Sequence, residues 1–440
     1  GSVSSRDSWY RGQLTLSSSV EFQVAFEAVI GEINRGDIAI DTINLADGPC
    51  PAHPREASPG GFDCTFIVDM CEWQLGFSVT TGVSLWSRVI GSDYTTSPVG
   101  HTSIGMKYDA YMKFETSNFK NREGERSNFT SPPLHKKGLG KSTIVCISFW
   151  YYMFAYLLID SRLGALEIAS DMPGVGADLS ERKTLWRLNN HQSARWTLGR
   201  VSLTIQEHMK LSIVGVRGPT ASGVIAIDDI TIYDGNCTTM PTAAITTVYD
   251  CWFDGPPNAA GLDSTCNWVS VGTSHPDKKW VTAQGQRRIV GLQDHTFQAE
   301  SCCYVFLESF NLGISSQLYL HESVAIKPGE SYCMSFWVTT FQDDLTAVIS
   351  VKRRDVGSTV WTKLLELKQQ DLLALSNSKI SSLSRVLGWS YVQVWLEAKE
   401  TKDTQVAIEG VVTRGGFAVD DIKFIQEDNP CPIHPRSAAP

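Results

Sequence analysis

Ile225-Ala226-Ile227-Asp228-Asp229-Ile230 leads to Cys237, and the phrase occurs twice more. Ile38-Ala39-Ile40-Asp41-Thr42-Ile43 precedes Cys50, and Phe417-Ala418-Val419-Asp420-Asp421-Ile422 precedes Cys431. Alternating branched apolar residues read as a β-strand. The alternation changes parity at the acidic position: Ile225 and Ile227 are odd, Ile230 and Ile232 even. A strand with one buried face does this only by inserting a residue or turning a corner. The spacing therefore predicts a bulge at Asp41, Asp228 and Asp420.

The phrase closes a larger repeat. Trp196, Val201-Ser202-Leu203 and Leu211-Ser212-Ile213 precede the second copy, and Trp389, Val392-Gln393-Val394 and Val406-Ala407-Ile408-Glu409 precede the third. Trp9, Leu14 and Phe22-Gln23-Val24 precede the first, so residues 1–50 read as the last third of a unit. The full unit occurs twice. It opens Phe62-Asp63-Cys64 and Cys71-Glu72-Trp73, or Tyr249-Asp250-Cys251 and Cys266-Asn267-Trp268. Asp93-Tyr94-Thr95 or Asp294-His295-Thr296 follows, then Cys146-Ile147-Ser148-Phe149-Trp150 or Cys333-Met334-Ser335-Phe336-Trp337. This divides the chain into a remnant (1–50), a Pro-rich linker (51–61), a first full domain (62–237), a linker (238–248), a second full domain (249–431) and a tail (432–440). The threonine-rich 238–248 linker reads as looser than the proline-rich one. Ser117 to Lys141 reads as an exposed polar loop, and Leu364 to Leu387 suits a short helix at least as well as a strand.

The 440 residues carry a net charge of −9, against a nucleic-acid or anionic-membrane surface. Eleven cysteines without a CxxC pair point to an oxidising, extracellular compartment rather than zinc. Asn128-Phe129-Thr130 and Asn236-Cys237-Thr238 are glycosylation sequons. Thr143 to Ile159 carries no charge, but its three tyrosines and its shorter echo at Cys333 read as buried strands with a turn near Ala155, not a membrane span.

Together these residues resemble the MAM domain, the extracellular module of meprins, neuropilins, receptor tyrosine phosphatases and zonadhesin. The resemblance implies an all-β chain of tandem jelly-roll β-sandwiches stabilised by disulfides. It implies bridges Cys64–Cys71, Cys146–Cys237, Cys251–Cys266 and Cys333–Cys431. The two long bridges would each contribute about 4 kcal/mol by restricting the unfolded chain. Cys50 lacks a counterpart, and Cys302-Cys303 departs from the family pattern; two thiols, a vicinal bridge and a bond to another chain all stay open. Some MAM domains hold a structural cation. Asp254, Asp294 and Asp421 match its positions in the second full domain, so calcium is the expected cofactor there. In the first, Asp93 and Asp229 match, but Ile67 replaces the third acid.

No nucleophile–base, zinc-protease or phosphate-loop motif occurs, so the chain reads as non-enzymatic. The family implies cell adhesion through protein or glycoprotein ligands, homophilic contacts among them, on a secreted protein or an ectodomain. Adjacent copies fit a zonadhesin-like arrangement. A carbohydrate-binding array is the alternative and requires exposed aromatics, with Trp86, Trp280 and Trp361 as candidates; a structural spacer or oligomerisation region is the third reading. The paired tryptophans Trp73/Trp268, Trp150/Trp337 and Trp196/Trp389 read as core. Arg35-Gly36-Asp37 reads as a turn rather than an integrin ligand.

Overall fold

A computed structural model describes, apart from short gaps, residues 62–90, 110–116, 124–134, 144–156, 162–172 and 181–438, with scattered residues between 9 and 50. Asp93, Ile67, the 51–61 linker and Arg35-Gly36-Asp37 lie outside the described residues.

The first full domain contains β1 (Gln74–Leu75), β2 (Trp86–Ile90), β3 (Ala110–Phe114), β4 (Arg126–Thr130), β5 (Ile144–Ala155), β6 (Gly164–Met172), β7 (Glu181–Asn189), β8 (Ser193–Thr204), β9 (Lys210–Arg217) and β10 (Gly223–Asp234). They form two antiparallel sheets, ordered β1-β4-β9-β6-β7 and β2-β3-β10-β5-β8. The second full domain contains β11 (Trp268–Gly272), β12 (Val281–Gln284), β13 (Cys302–Leu320), β14 (Ser331–Phe341), β15 (Val348–Asp355), β16 (Thr362–Lys368), the helix α1 (Gln369–Leu375), β17 (Ser390–Glu397) and β18 (Thr404–Gln426). Here the long β13 and β18 run through both layers and join all eight strands into one sheet. The segment from Leu364 divides between a strand and a helix as far as residue 375, and 376–387 lie outside the described residues. Between the layers of each domain lies one large apolar core. Five disulfides are present: Cys64–Cys71, Cys146–Cys237, Cys251–Cys266, Cys333–Cys431 and the adjacent pair Cys302–Cys303.

The parity change has a physical basis. The β10–β5 ladder slips between Asp228 and Thr231. Asp229 adopts φ 47°, and its N–H donates to Asp228 Oδ1 at 2.8 Å. Ile230, released from β5, exchanges two backbone bonds with Cys64 at 2.8 and 2.9 Å, and Ile232 N–H donates to Asp63 Oδ1. The second domain repeats this: Asp421 has φ 49°, its N–H donates to Asp420 Oδ1 at 2.8 Å, Ile422 pairs with Cys251, and Phe424 N–H donates to Asp250 Oδ1. The bulge hands the closing strand over to the opening cysteine segment, and the adjoining disulfide pins that segment in place. At Asp41 the bend also forms, with Thr42 at φ 52° and its N–H on Asp41 Oδ1 at 2.7 Å. However, residues 38–47 are exposed and form no strand. In the full domains the phrase pairs with the Cys-x-Ser-Phe-Trp strand.

Several expectations are corrected. The 117–141 loop contains β4, inside a sheet between β1 and β9. Its apolar Phe129 faces the core while Arg126, Asn128 and Thr130 alternate outward. Asn128 is therefore half-buried in a strand, its Nδ2 donating to Ser212 Oγ at 3.4 Å; Asn236 is exposed. The 238–248 linker is packed, not loose. Met240 pairs with Arg200, Trp186 Nε1 donates to the Met240 carbonyl at 2.8 Å, and Ala244 is fully buried. Of the tryptophans, Trp73 and Trp268 are core, but Trp150, Trp196, Trp337 and Trp389 are half-buried outside the main sandwich cores. Trp86 and Trp280 are buried, with their indole N–H groups on the Ser127 and Ser316 carbonyls. Arg354 stacks over Trp361 at 4.5 Å.

Candidate functional site at the domain junction

Core packing determines which side chains the β1-β4-β9-β6-β7 sheet presents outward. Phe129, Leu166, Ile168, Trp186, Leu188 and Ile213 fill the core. Strand alternation then directs Arg126, Glu167 and Arg187 to the opposite face. The second domain covers that face.

Asp254, three residues after the opening Cys251, enters between the two guanidiniums. Arg126 Nη1 donates to Asp254 Oδ1 and Arg187 Nη2 to Asp254 Oδ2, each at 2.6 Å. The same two arginines also hold Glu167. Arg187 lies over the Trp252 ring at 4.5 Å and donates its Nε to Asn189 Oδ1. The side chains of Arg187, Glu167 and Asp254 are each 1% exposed. Burying such charges is favourable only with close pairing and satisfied hydrogen bonds, and this quartet has both. Burial alone would lower the arginine pKa values, but the Glu167 and Asp254 charges hold both above their ordinary value. Burial would likewise raise Asp254; Arg187 and Arg126 overcome that and hold it low. Neighbouring Asp263 is raised, first by burial and then by the Asp254 charge. It is bound by the Gly255 and Thr265 N–H groups at 2.8 and 2.7 Å.

A loop from the second domain completes the junction. Asp294 accepts the N–H groups of Phe297 and Ala299, fixing a tight turn. Asp420 Oδ2 accepts the His295 N–H at 2.9 Å. Asp421 Oδ2 lies 2.7 Å from His295 Nδ1 and accepts the Thr296 hydroxyl. The left-handed φ at Asp421 aims its carboxylate at this loop. His295 stacks on Trp337 with ring centroids 3.8 Å apart. The loop then meets the first domain: Asn190 Nδ2 donates to the Thr296 carbonyl, Arg162 to Gln298, and Phe297, Ala299 and Cys303 pack with Ala165 and Val216. The Cys302–Cys303 sulfurs lie against Gly124, where a Cβ would fall 2.7 and 2.8 Å from them and φ is +76°. Any other residue at 124 would have to displace the bridge.

The three carboxylates expected to share a cation are thus divided among different partners. Asp254 has two guanidiniums, Asp294 two backbone N–H groups, and Asp421 Oδ2 a histidine and a hydroxyl. Among the described residues the one trio of potential ligand atoms within 4.8 Å of each other is Cys251, Asp263 and Cys266, and those cysteines are bridged to each other. Among the described residues Asp421 Oδ1 is the one carboxylate oxygen buried with no hydrogen-bond partner, while both oxygens of Asp254 are taken by guanidiniums. In the first domain Asp229 is buried at the bulge, while Asp93 lies outside the described residues. Burial, reinforced by neighbouring carboxylates, holds Asp294 and Asp420 well above the usual carboxylate range. The sequence reading missed Arg126, Glu167 and Arg187: Arg126 lies in the stretch read as an exposed loop, and a single charge on a strand ordinarily marks a solvated face. The one signal was the difference between Ile67 and Asp254 in otherwise matched copies.

Disulfide-stapled antiparallel sandwiches, repeated along one chain and closed by an acidic-bulged strand, define an extracellular-type β module. The profile of the MAM domain, meprin/A5/mu, matches residues 2–51, 64–238 and 260–432, and the chain belongs to this family. It is 27% identical over 240 residues to human MAM domain-containing protein 2, covering 54% of this chain and 32% of that protein. It is 30% identical over 216 residues to human MAM domain-containing glycosylphosphatidylinositol anchor protein 2 (47% and 21% covered). Against human zonadhesin it is 26% identical over 284 residues (62% and 9% covered). The chain spans about a third or less of the length of these relatives. Among solved structures, the CBM22-1-CBM22-2 tandem domain of Paenibacillus barcinonensis Xyn10C aligns over 84% of this chain and 97% of its own, with TM-score 0.28 and 11% identity. No helix among the described residues is long and apolar enough to cross a membrane.

Proposed function

We propose that this chain is a non-enzymatic recognition segment of an extracellular adhesion-type protein, binding protein or glycoprotein ligands, with a second copy of itself as the first candidate. The observation that carries the reading is the junction. A buried four-charge contact and a docked loop hold two MAM domains at one orientation. A surface spanning both domains is then preorganised, which reduces the ordering cost of binding a large partner. Five disulfides fit an oxidising, extracellular setting. Buried Trp86 and Trp280, and Trp361 half-buried with Arg354 over its ring, count against the carbohydrate alternative, because sugar stacking needs an open ring face.

Beads coated with the 440-residue chain test this. Clustering of beads carrying the chain, and not of beads carrying a reduced, unfolded control, is the expected result for homophilic binding. Capture of a cell-surface glycoprotein without clustering would point to a heterophilic partner. Neither clustering nor capture from intact cells would leave the spacer reading.

A further inference from the structure

The junction has a feature that neither domain has alone. Asp254 is a buried carboxylate beside another, Asp263, and within the electrostatic reach of Asp294. Carboxylates gathered out of water need positive charge. The second domain supplies none to Asp254: both ion-pair partners, Arg126 and Arg187, come from β4 and β7 of the preceding domain.

The receptor face is particular to the first full domain. In the second domain the strands pair in the same register. Ser315 opposes Val411 where Arg126 opposes Val216, Ser350 opposes Glu409 where Glu167 opposes Val214, and Glu366 opposes Ser350 where Arg187 opposes Glu167. Two serines and a glutamate replace the arginine–glutamate–arginine set. That face has no guanidinium at either receptor position with which to hold an acid placed like Asp254. On the donor side, Ile67 stands in the first domain's sequence where Asp254 stands in the second.

We propose that Arg126 and Arg187 stand in for a bound cation at Asp254, so that the two full domains dock as one unit whose geometry is independent of divalent metal. The compensating charge is delivered by the neighbouring domain. This follows from the junction alone and is independent of what the segment recognises.

The full chain, labelled through unnatural amino acids at exposed Arg195 and Thr359, gives an inter-domain distance distribution by single-molecule energy transfer. The wild type should show one narrow distribution and one Tm, identical in excess calcium and in EDTA. Asp254→Asn should broaden the distribution in both buffers, and Arg126→Gln should do so more weakly, since Arg126 is the more exposed of the two arginines. A wild-type distribution that widens in EDTA, or a Tm that calcium raises by several degrees, would overturn the proposal. So would an Asp254→Asn protein that stays narrow. If Asp254→Asn does not fold, the wild-type comparison and Arg126→Gln still decide.

Discussion

The bend at Asp41–Thr42 and the bend at Asp420–Asp421 share a local geometry and differ in everything around it. Each places a left-handed residue after an aspartate that accepts that residue's N–H. The first is exposed and pairs with no strand among the described residues; the second lies within a sandwich, joins the closing strand to Cys251 and holds the docking loop through His295 and Thr296. The bend is thus written in two or three residues. Its consequences depend on whether a sheet surrounds it.

That contrast can be broken at four places. The largest effect should come from Arg187→Met, which leaves Glu167 and Asp254 buried without one of their two partners. Breaking a buried ion pair on one side costs about 4 kcal/mol, read as a fall in the urea midpoint. An unchanged midpoint would mean that water reaches the junction.

Next comes pH. Asp250 is pushed up to about 6 from 3.8 by burial, against the opposing hydrogen bonds of Thr247 and Phe424. The folded state therefore holds this proton more tightly than the unfolded chain. Its ionisation destabilises the fold above pH 6, and stability rises as pH falls through 6 toward 4. About two units correspond to about 3 kcal/mol for Asp250 alone. Asp294 and Asp420, also raised, act in the same direction. Asp254, held low, contributes in the opposite sense, and its stabilisation is lost only as pH drops below the ordinary carboxylate range. Urea midpoints at pH 7.5, 5 and 3 should rise and then fall; a steady decline from pH 7.5 would refute this.

Asp420→Ala should cost about 2 kcal/mol, because the N–H groups of Asp421 and His295 both lose their acceptor in a buried place. Hydrogen exchange should speed up at 294–299, where the loop is held. The matching change in the remnant, Asp41→Ala, should alter stability by less than about 0.5 kcal/mol, as for an exposed surface site. Equal effects at the two positions would remove the distinction between a local bend and a structural one.

The strands, their bulges and the repeat were legible because they rest on local patterns: period-two apolar residues, a parity change and recurring cysteines. The reading failed where a pattern had two meanings. Arg126, Asn128 and Thr130 alternate with buried Ser127 and Phe129 in a short polar stretch, and the polar residues concealed a strand. Trp337 and Trp389 occur at repeat positions, yet they lie half-buried around His295, outside the main sandwich core, with Trp389 against the small Tyr304–Phe306 cluster. The linker after Cys237 contains few prolines but is fastened by Met240 to Arg200 and Trp186, contacts that its composition does not encode.

By itself the sequence determined the module. Alternation of apolar residues over a few positions selects strands and their inward faces, and in each repeated phrase the aspartate accepts the N–H of the left-handed residue after it. The tertiary structure alone decided which partners the buried acids meet. Asp254, Asp294 and Asp421 are separated along the chain and differ in which donors reach them, two guanidiniums, backbone N–H groups or a histidine. Charge compensation depends on distances across a junction between domains, and no spacing along one strand specifies those.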